Sequence, residues 1–348
     1  MTFDEFCIRV KEEIGSYVFG AENVMLQDVP KNNGLIYKGL IIVDPILNIS
    51  PTIYLNSYYD KYMEGELFSD VMFDIAETYE KNKPIEDFDI SAVKEWEKAK
   101  ENIICKLINY DLNKEMLENI PHKRVEDLAI VYMISVNKFM GEYATILIRD
   151  ELLALYEKSV DELDTIAKEN VKRICPPILE DMLSILGVYA GTQIPLELDR
   201  KMYVLSNEQK TYGAIHVLDP EVMDEIAKIY GDKCMVIPSS VHEVLLVPYN
   251  EEYQDVEMLI EEVNNTQLTR DEILSNKPYV LDIKNHLLLH VEFDVDIQQQ
   301  EEYQMQQKEN GKETELEDNI SEEELQEREA AFKRYEEKYR KKESSPKL

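Results

Sequence analysis

Bases are scarce in this 348-residue chain, where 38 Lys and Arg stand against 71 Asp and Glu for a formal charge of -33. A protein that grips nucleic acid through its phosphates needs a basic footprint, so no direct nucleic-acid binding is expected. The imbalance is not a tail effect: residues 297–348 carry 15 acids and 10 bases, which leaves most of the excess in the body, where self-repulsion acts throughout. Long apolar runs are missing too. No stretch reaches the length of about 18 residues that a membrane-spanning helix needs, and MTFDEFCIRVKEEI at the N-terminus lacks the apolar core of a secretory signal.

Cysteine is sparse and dispersed, with Cys7, Cys105, Cys175 and Cys234 forming no CxxC pair. That pattern excludes a zinc centre or disulfide scaffold and suits a reducing cytoplasm. Glycine is scarce as well: Gly213 and Gly231 are isolated, so no phosphate-cradling loop is present, and the HEVLL that begins at His242 lacks the second histidine of a zinc-protease helix. No cofactor and no metal are expected.

What remains is a chain that is 44% hydrophobic, long enough for two modest domains or one elaborated one. Its most legible stretch is Tyr203 to Pro248, which reads as strand, turn, strand, helix, strand, turn, strand. Thr211 to Leu218 is β-branched and aromatic enough for the second strand. Asp219-Pro220-Glu221 then offers an N-cap, a proline at the first helical position and an acid in the first turn. Val222, Ile226 and Ile229 form one helical stripe ending at Gly231, and Cys234 to Ile237 and Val244 to Val247 are strands covered on both faces.

Elsewhere Thr2 with Glu5 and Ser159 with Glu162 are capping boxes ahead of amphipathic helices, the first with Phe6, Val10 and Ile14 on its face and the second with Leu163, Ile166, Ala167 and Asn170. Strands are expected at Gly34–Val43, Pro51–Tyr58, Ile103–Tyr110, Leu128–Val136 and Tyr143–Ile148, the last two turned around Lys138 to Gly141. A helix with Leu67, Val71, Ile75 and Tyr79 on one face follows Glu66. Further helices are expected at Asn113–Asn119, Leu179–Leu186 and Val256–Val263, and a short one capped by Thr269 and Glu272. Pro121 to Arg124 reads as a connection, Gly187 to Pro195 as a linker, and Tyr279 to Val291 as a closing hairpin.

Strand-strand-helix order recurs near 34–79, 128–171, 203–230 and 234–264. The expected fold class is therefore α+β, with mixed sheets built from these units and helices on a face. The expected organisation is an N-terminal half at 1–190, a C-terminal half at 191–296 and an acidic tail at 297–348. The tail is expected to be disordered up to Asn319, then helical over 321–342, a segment whose one-sided Leu325, Phe332, Tyr335 and Tyr339 suit a protein partner.

The phrases NEQKTYGAIHVLDPEVMDEIA and VIPSSVHEVLLVP, with EDLAIVY before them and LTRDEILSNKPYVLD after, resemble an uncharacterised domain-of-unknown-function family of anaerobic gut bacteria over roughly residues 3–295. The resemblance implies a soluble cytoplasmic protein. It brings no activity, ligand or catalytic residue.

Candidate sites come from turns. Ser240, His242 and Glu243, with Ser239, sit between two buried strands, where polar groups gather at a sheet end. His242 beside Glu243 or Ser240 suggests a base with its partner, although neighbours on a strand point to opposite faces and turn serines often serve the backbone. Asn207, Glu208 and Gln209 at the hairpin tip, with Tyr212, form a candidate recognition surface. His216 with Cys234 would make a Cys-His pair, against which stands the habit of free cysteine to behave as a small hydrophobe. His286, His290 and Glu292 share a strand face, but positions i and i+4 lie about 13 Å apart, too far for one metal. Three functions fit: a protein-interaction module, a hydrolase using His242, or an acidic decoy mimicking nucleic acid.

Overall fold

A computed structural model of the chain describes residues 1–21, 23–84, 87–139, 142–182, 184–185, 201–249 and 256–291. The expected linker at Gly187 to Pro195, the tip of the 138–141 turn, and the tail with its 321–342 helix lie outside the described residues. Met1–Val291 forms one compact unit.

The chain opens on helix α1 (Phe3–Glu13), capped by the reciprocal Thr2 and Glu5 bonds. Its Phe6 and Val10, with Ile14 just beyond, are fully buried. They pack on a three-stranded antiparallel sheet of β1 (Asn23–Pro30), β2 (Ile36–Val43) and β3 (Thr52–Tyr54). Strand β1 was not anticipated; it is an edge strand whose alternating Val24 and Leu26 are its main inward contribution. The expected strand at Pro51–Tyr58 stops at Tyr54, and helix α2 (Asn56–Met63) follows. Helix α3 (Phe68–Asn82) buries Val71, Ile75 and Tyr79, whereas Leu67 is its exposed N-cap.

The middle sheet has four strands. β4 (Ile103–Asn109) pairs with β6 (Leu128–Phe139), whose other side takes first β5 (His122–Val125) and then β7 (Glu142–Leu147). The expected connection at Pro121–Arg124 is therefore largely strand, because the start of β6 offers it an open edge. Helix α4 (Asp150–Tyr156) leads to α5 (Val160–Ile174), whose Ser159–Glu162 capping box is complete. Leu163 and Ala167 of α5 are fully buried, and Asn170 donates to the carbonyls of Lys100 at 2.7 Å and Ile103 at 2.9 Å. An amide on α5 thus fixes where β4 begins.

The last sheet is six-stranded and antiparallel, in the order β13-β12-β10-β11-β9-β8. β8 (Pro177–Asp181) takes the first residues of the helix expected at Leu179–Leu186, while the described Met182, Ser184 and Ile185 are helical. Proline fixes φ and disfavours α geometry in the residue before it, so Pro176-Pro177 launches the chain extended, onto an edge where the missing N–H is tolerated. β9 (Tyr203–Asn207) follows in the described chain.

The expected second strand at Thr211–Leu218 is a 3-10 helix instead, Gly213–Leu218. The side chain of Asn207 closes the turn on both sides of one residue: its Oδ1 accepts the N–H of Thr211 at 3.1 Å and its Nδ2 donates to the carbonyl of Thr211 at 2.8 Å. With the ladder partner replaced, the β-branched residues coil inward, and Ala214, Ile215 and Val217 are buried. Helix α6 (Pro220–Tyr230) starts at the Asp219 cap and ends at Gly231. β10 (Lys233–Ile237), β11 (Val244–Pro248), helix α7 (Val256–Gln267), β12 (Tyr279–Asp282) and β13 (Leu287–His290) complete the unit. The Thr269–Glu272 bonds form, at 2.7 Å between the side chains, but close a turn and not a helix.

The fold is α+β, with three sheets whose described strand pairs are antiparallel throughout, in place of the mixed sheets expected. Hairpins and short returns supply only antiparallel neighbours. Strand-strand-helix order holds at 34–79, 128–171 and 234–264, and fails at 203–230 through the 3-10 helix. The largest core crosses residue 190: it joins Ile104, Tyr132 and Leu163 of the middle sheet and its helix to Leu205, Ile226 and Tyr279 of the last.

Candidate functional site

Three loops and one strand converge on a cleft of about 280 Å³ lined by Lys31, Asn32, Lys106, Tyr212, His242 and Glu272, with Asp271 beside them. Lys106 comes from the middle of β4, where Cys105 and Leu107 on either side are buried. A lysine in such a run carries its charge into an apolar layer. Burial pushes its amine down to about 8; Lys31 adds to the effect and Asp271 opposes it. The Nζ lies 4.0 Å from the centroid of the Tyr212 ring, a cation–π contact. Among the described residues Lys106 makes no hydrogen bond and no ion pair.

The loop after β1 forms one wall. Asn33 has a positive φ of 58° and is fully buried. Its N–H donates to Asn113 Oδ1 at 2.8 Å, and its Nδ2 donates to the carbonyls of Arg270 and Ile273, both at 2.7 Å. Asn32 Nδ2 likewise reaches the carbonyl of Asp271 at 2.7 Å. These bonds pin the 270–273 turn against the first sheet and fix Asp271 and Glu272 at the rim. The other atom of the Asn32 amide, Oδ1, is buried without a hydrogen-bond partner among the described residues.

His242 forms the facing wall. The N–H of Tyr212 donates to His242 Nδ1 at 3.1 Å, and the two rings stack at 5.4 Å between centroids, 23° apart. With Nδ1 accepting, the proton of the neutral imidazole resides on Nε2. Nε2 faces Glu272 Oε1 at 3.7 Å. Burial pulls the imidazole below its ordinary value, with Glu272 opposing and Lys106 reinforcing the shift. The backbone of His242 is held equally firmly, its carbonyl accepting Gly213 N–H and Ser206 Oγ–H, each at 2.9 Å.

Tyr212 sits at φ 57°, ψ 28°. This left-handed geometry costs an aromatic residue about 1–3 kcal/mol and tends to mark functional sites. Gly213 explains how it is held: a Cβ there would lie 2.7 Å from the backbone of Ser206 and Asn207. Only glycine lets the 3-10 helix press against β9 and aim Tyr212 into the cleft.

Of the residues singled out in the sequence, Tyr212 and His242 meet here. Ser240 is buried and its Oγ accepts the backbone N–H of His242 at 3.0 Å, so it serves the turn and does not address the imidazole. Glu243 receives Ser239 Oγ at 3.5 Å, and the carboxylate that faces His242 is Glu272. Asn207 closes its turn, and Gln209 Nε2 donates to the Ile174 carbonyl at 3.3 Å.

His216 is 1% exposed and donates Nε2–H to the Cys175 carbonyl at 2.8 Å, beside a separate cavity of about 110 Å³. Cys234 is fully buried and burial raises its thiol to about 12, which removes its nucleophilic form near neutrality. His286 and His290 part company, turning toward Asp224 and toward Glu126 with Asp127.

Lys31, Asn32, Lys106 and Asp271 were not singled out from the sequence, and Glu272 was read only as a helix cap. The one available signal was Lys106, a lone charge inside IICKLIN.

These features define an α+β protein whose three antiparallel sheets are tied together around a polar cleft with a half-buried lysine. The chain belongs to the Family of unknown function (DUF5688), whose pattern matches residues 3–282. No curated protein and no solved structure matches it. Among the described residues no helix is long and apolar enough to cross a membrane.

Proposed function

We propose that this protein binds a small anionic molecule in the Lys106–His242 cleft. One observation carries the reading: in a chain with 71 acidic residues, Lys106 points its ammonium into a cavity without a carboxylate partner among the described residues. A half-buried cation is costly unless something compensates it, and a ligand carboxylate or phosphate supplies that compensation. Lys106 and the Nε2–H of His242 are the donors. The unpartnered Oδ1 of Asn32, with Glu272, offers acceptors for a hydroxyl or amine elsewhere on the same ligand. Four buried, unpaired cysteines suit a reducing cytoplasm.

Hydrolysis with His242 as base is disfavoured, because its Nδ1 lone pair is taken by Tyr212 and Nε2 carries the hydrogen. The decoy reading has no support in a cleft of mixed charge. A protein partner engaged through the 321–342 helix rests on residues outside those described.

Melting temperatures of the full chain with inorganic phosphate, acetate, lactate and uncharged glycerol provide the test, repeated with Lys106→Met. Stabilisation by one of the anions that vanishes in the variant supports the reading. Equal responses of the two proteins to all four compounds would sink it.

A further inference from the structure

Anion binding alone does not need the amine of a lysine to stand in a cavity with no ion pair or hydrogen bond among the described residues, although Asp271 and Glu272 line the same cleft. Lys106 lines the cleft, its stem leaves β4 on the face it shares with Ile108, and its head rests on the face of Tyr212. A second cation, Lys31, lines the same cleft, and Lys31 Nζ is itself held 3.8 Å above the Tyr54 ring. Desolvation among apolar neighbours and a nearby cation favour the neutral amine, the form that acts as a nucleophile toward a carbonyl, while the Tyr212 ring holds the head in place.

We propose that Lys106 forms a reversible imine with a small carbonyl acid, a 2-oxo acid being the best match, bound in this cleft. The proposal rests on the anion-binding reading above, since the same pocket must hold the ligand's carboxylate. In the step, neutral Lys106 Nζ bonds to the carbonyl carbon, and the carbonyl oxygen departs as water carrying both amine hydrogens. No oxidant or reductant is consumed. Lys31 and His242 Nε2–H are placed to hold the carboxylate while Nζ reacts, and the Asn32 Oδ1 acceptor is available to the carbinolamine hydroxyl. With its amine lowered to about 8, Lys106 has a free-base fraction near neutral pH roughly three-hundredfold above that of an ordinary surface lysine.

The test incubates the full chain with glyoxylate or pyruvate and sodium cyanoborohydride near neutral pH, then maps reduced adducts by peptide mass spectrometry. Melting shifts with pyruvate and with lactate, which has no carbonyl to attack, are measured alongside. Lys106→Arg, which retains the cation but cannot form an imine, is the control.

The expected result is labelling at Lys106 roughly tenfold or more above the typical surface lysine and absent from Lys106→Arg, with pyruvate and lactate both shifting the melting of the parent chain. Labelling spread evenly over surface lysines would overturn the imine. Should that occur with the anion shifts intact, the anion-binding reading stands alone; if the anion shifts are missing too, both readings fall.

Discussion

The backbone N–H of Tyr212 and the Nδ1 of His242 are joined at 3.1 Å while their rings stack at 5.4 Å, so a residue in left-handed geometry is both hydrogen-bonded to and covered by the same imidazole. The bond fixes the tautomer of His242 and satisfies a half-buried donor. Asparagine can place its Oδ1 near the position of Nδ1; leucine cannot. His242→Leu is expected to lose about 1–3 kcal/mol of stability by orphaning the Tyr212 N–H, and His242→Asn about 1 kcal/mol less than that. Urea denaturation of the two variants checks the difference, and equal losses would show that the bond contributes nothing.

Gly213 offers a sharper test of how the site is aimed. Because a Cβ would approach the Ser206 and Asn207 backbone at 2.7 Å, Gly213→Ala must push the 3-10 helix off β9. The expected cost is about 1–3 kcal/mol, read from the denaturation midpoint. The Tyr212–His242 stack should be disturbed with it, visible as a shift of the His242 ring protons in NMR spectra. An alanine variant as stable as the parent would mean that the contact relaxes without strain.

Much of this architecture is written locally. The Ser159–Glu162 box, the Asp219-Pro220 start and the Phe6, Val10, Ile14 stripe each involve residues within a few positions, and each forms as its spacing implies. What was hidden depends on distant partners. Thr211 to Leu218 has β-type residues, yet the Asn207 side chain and the close contact at Gly213 override them. The helix expected at Leu179–Leu186 loses its first residues to an open edge on β9 and begins only at Met182.

The cleft shows the same division. Tyr212 and His242 stood out because turns expose polar groups, whereas Glu272 reaches His242 only because Asn32 and Asn33 hold the 270–273 turn in place from about 240 positions away. Lys106 left one local trace, its isolation in an apolar strand.

Asp164 is the other ionic junction of the fold. Its Oδ1 accepts from the buried hydroxyl of Tyr132 at 3.1 Å and its Oδ2 from Lys123 and Lys168, each at 3.0 Å. Burial alone would raise this carboxyl, but the ammonium groups of Lys168 and Lys123 outweigh it and hold it below its ordinary range. Both lysines are partly exposed, so their ion pairs are discounted for screening. Asp164→Asn, which keeps an acceptor for Tyr132, is expected to cost about 1 kcal/mol, and Asp164→Leu about 2–3 kcal/mol because the phenol is left unpaired. Thermal denaturation in low and high salt separates the two contributions: the gap between Asn and Leu should survive salt. A gap that closes in salt would assign the site to charge alone.

Acid sensitivity follows from two histidines, the buried His216 and the partly buried His242. His216 and His242 are both held below the ordinary value of 6.5, burial being the main cause in each. The unfolded chain therefore takes up protons that the folded chain refuses, so these residues contribute stability above about pH 6.5 that is lost as pH falls through their lowered values. Each contributes a slope of at most about 1.4 kcal/mol per pH unit. The depressed carboxylates Glu5, Asp44, Asp89, Asp111, Glu162, Asp164 and Asp282 act in the same direction but only at still lower pH, because their ordinary values are 3.8 for aspartate and 4.5 for glutamate. Between about pH 6.5 and 5 the decline is thus a histidine effect. Unfolding free energy measured across that range should fall in the parent and flatten in a His216→Gln/His242→Asn double variant. Parallel curves for the two proteins would show that neither imidazole is held neutral by the fold.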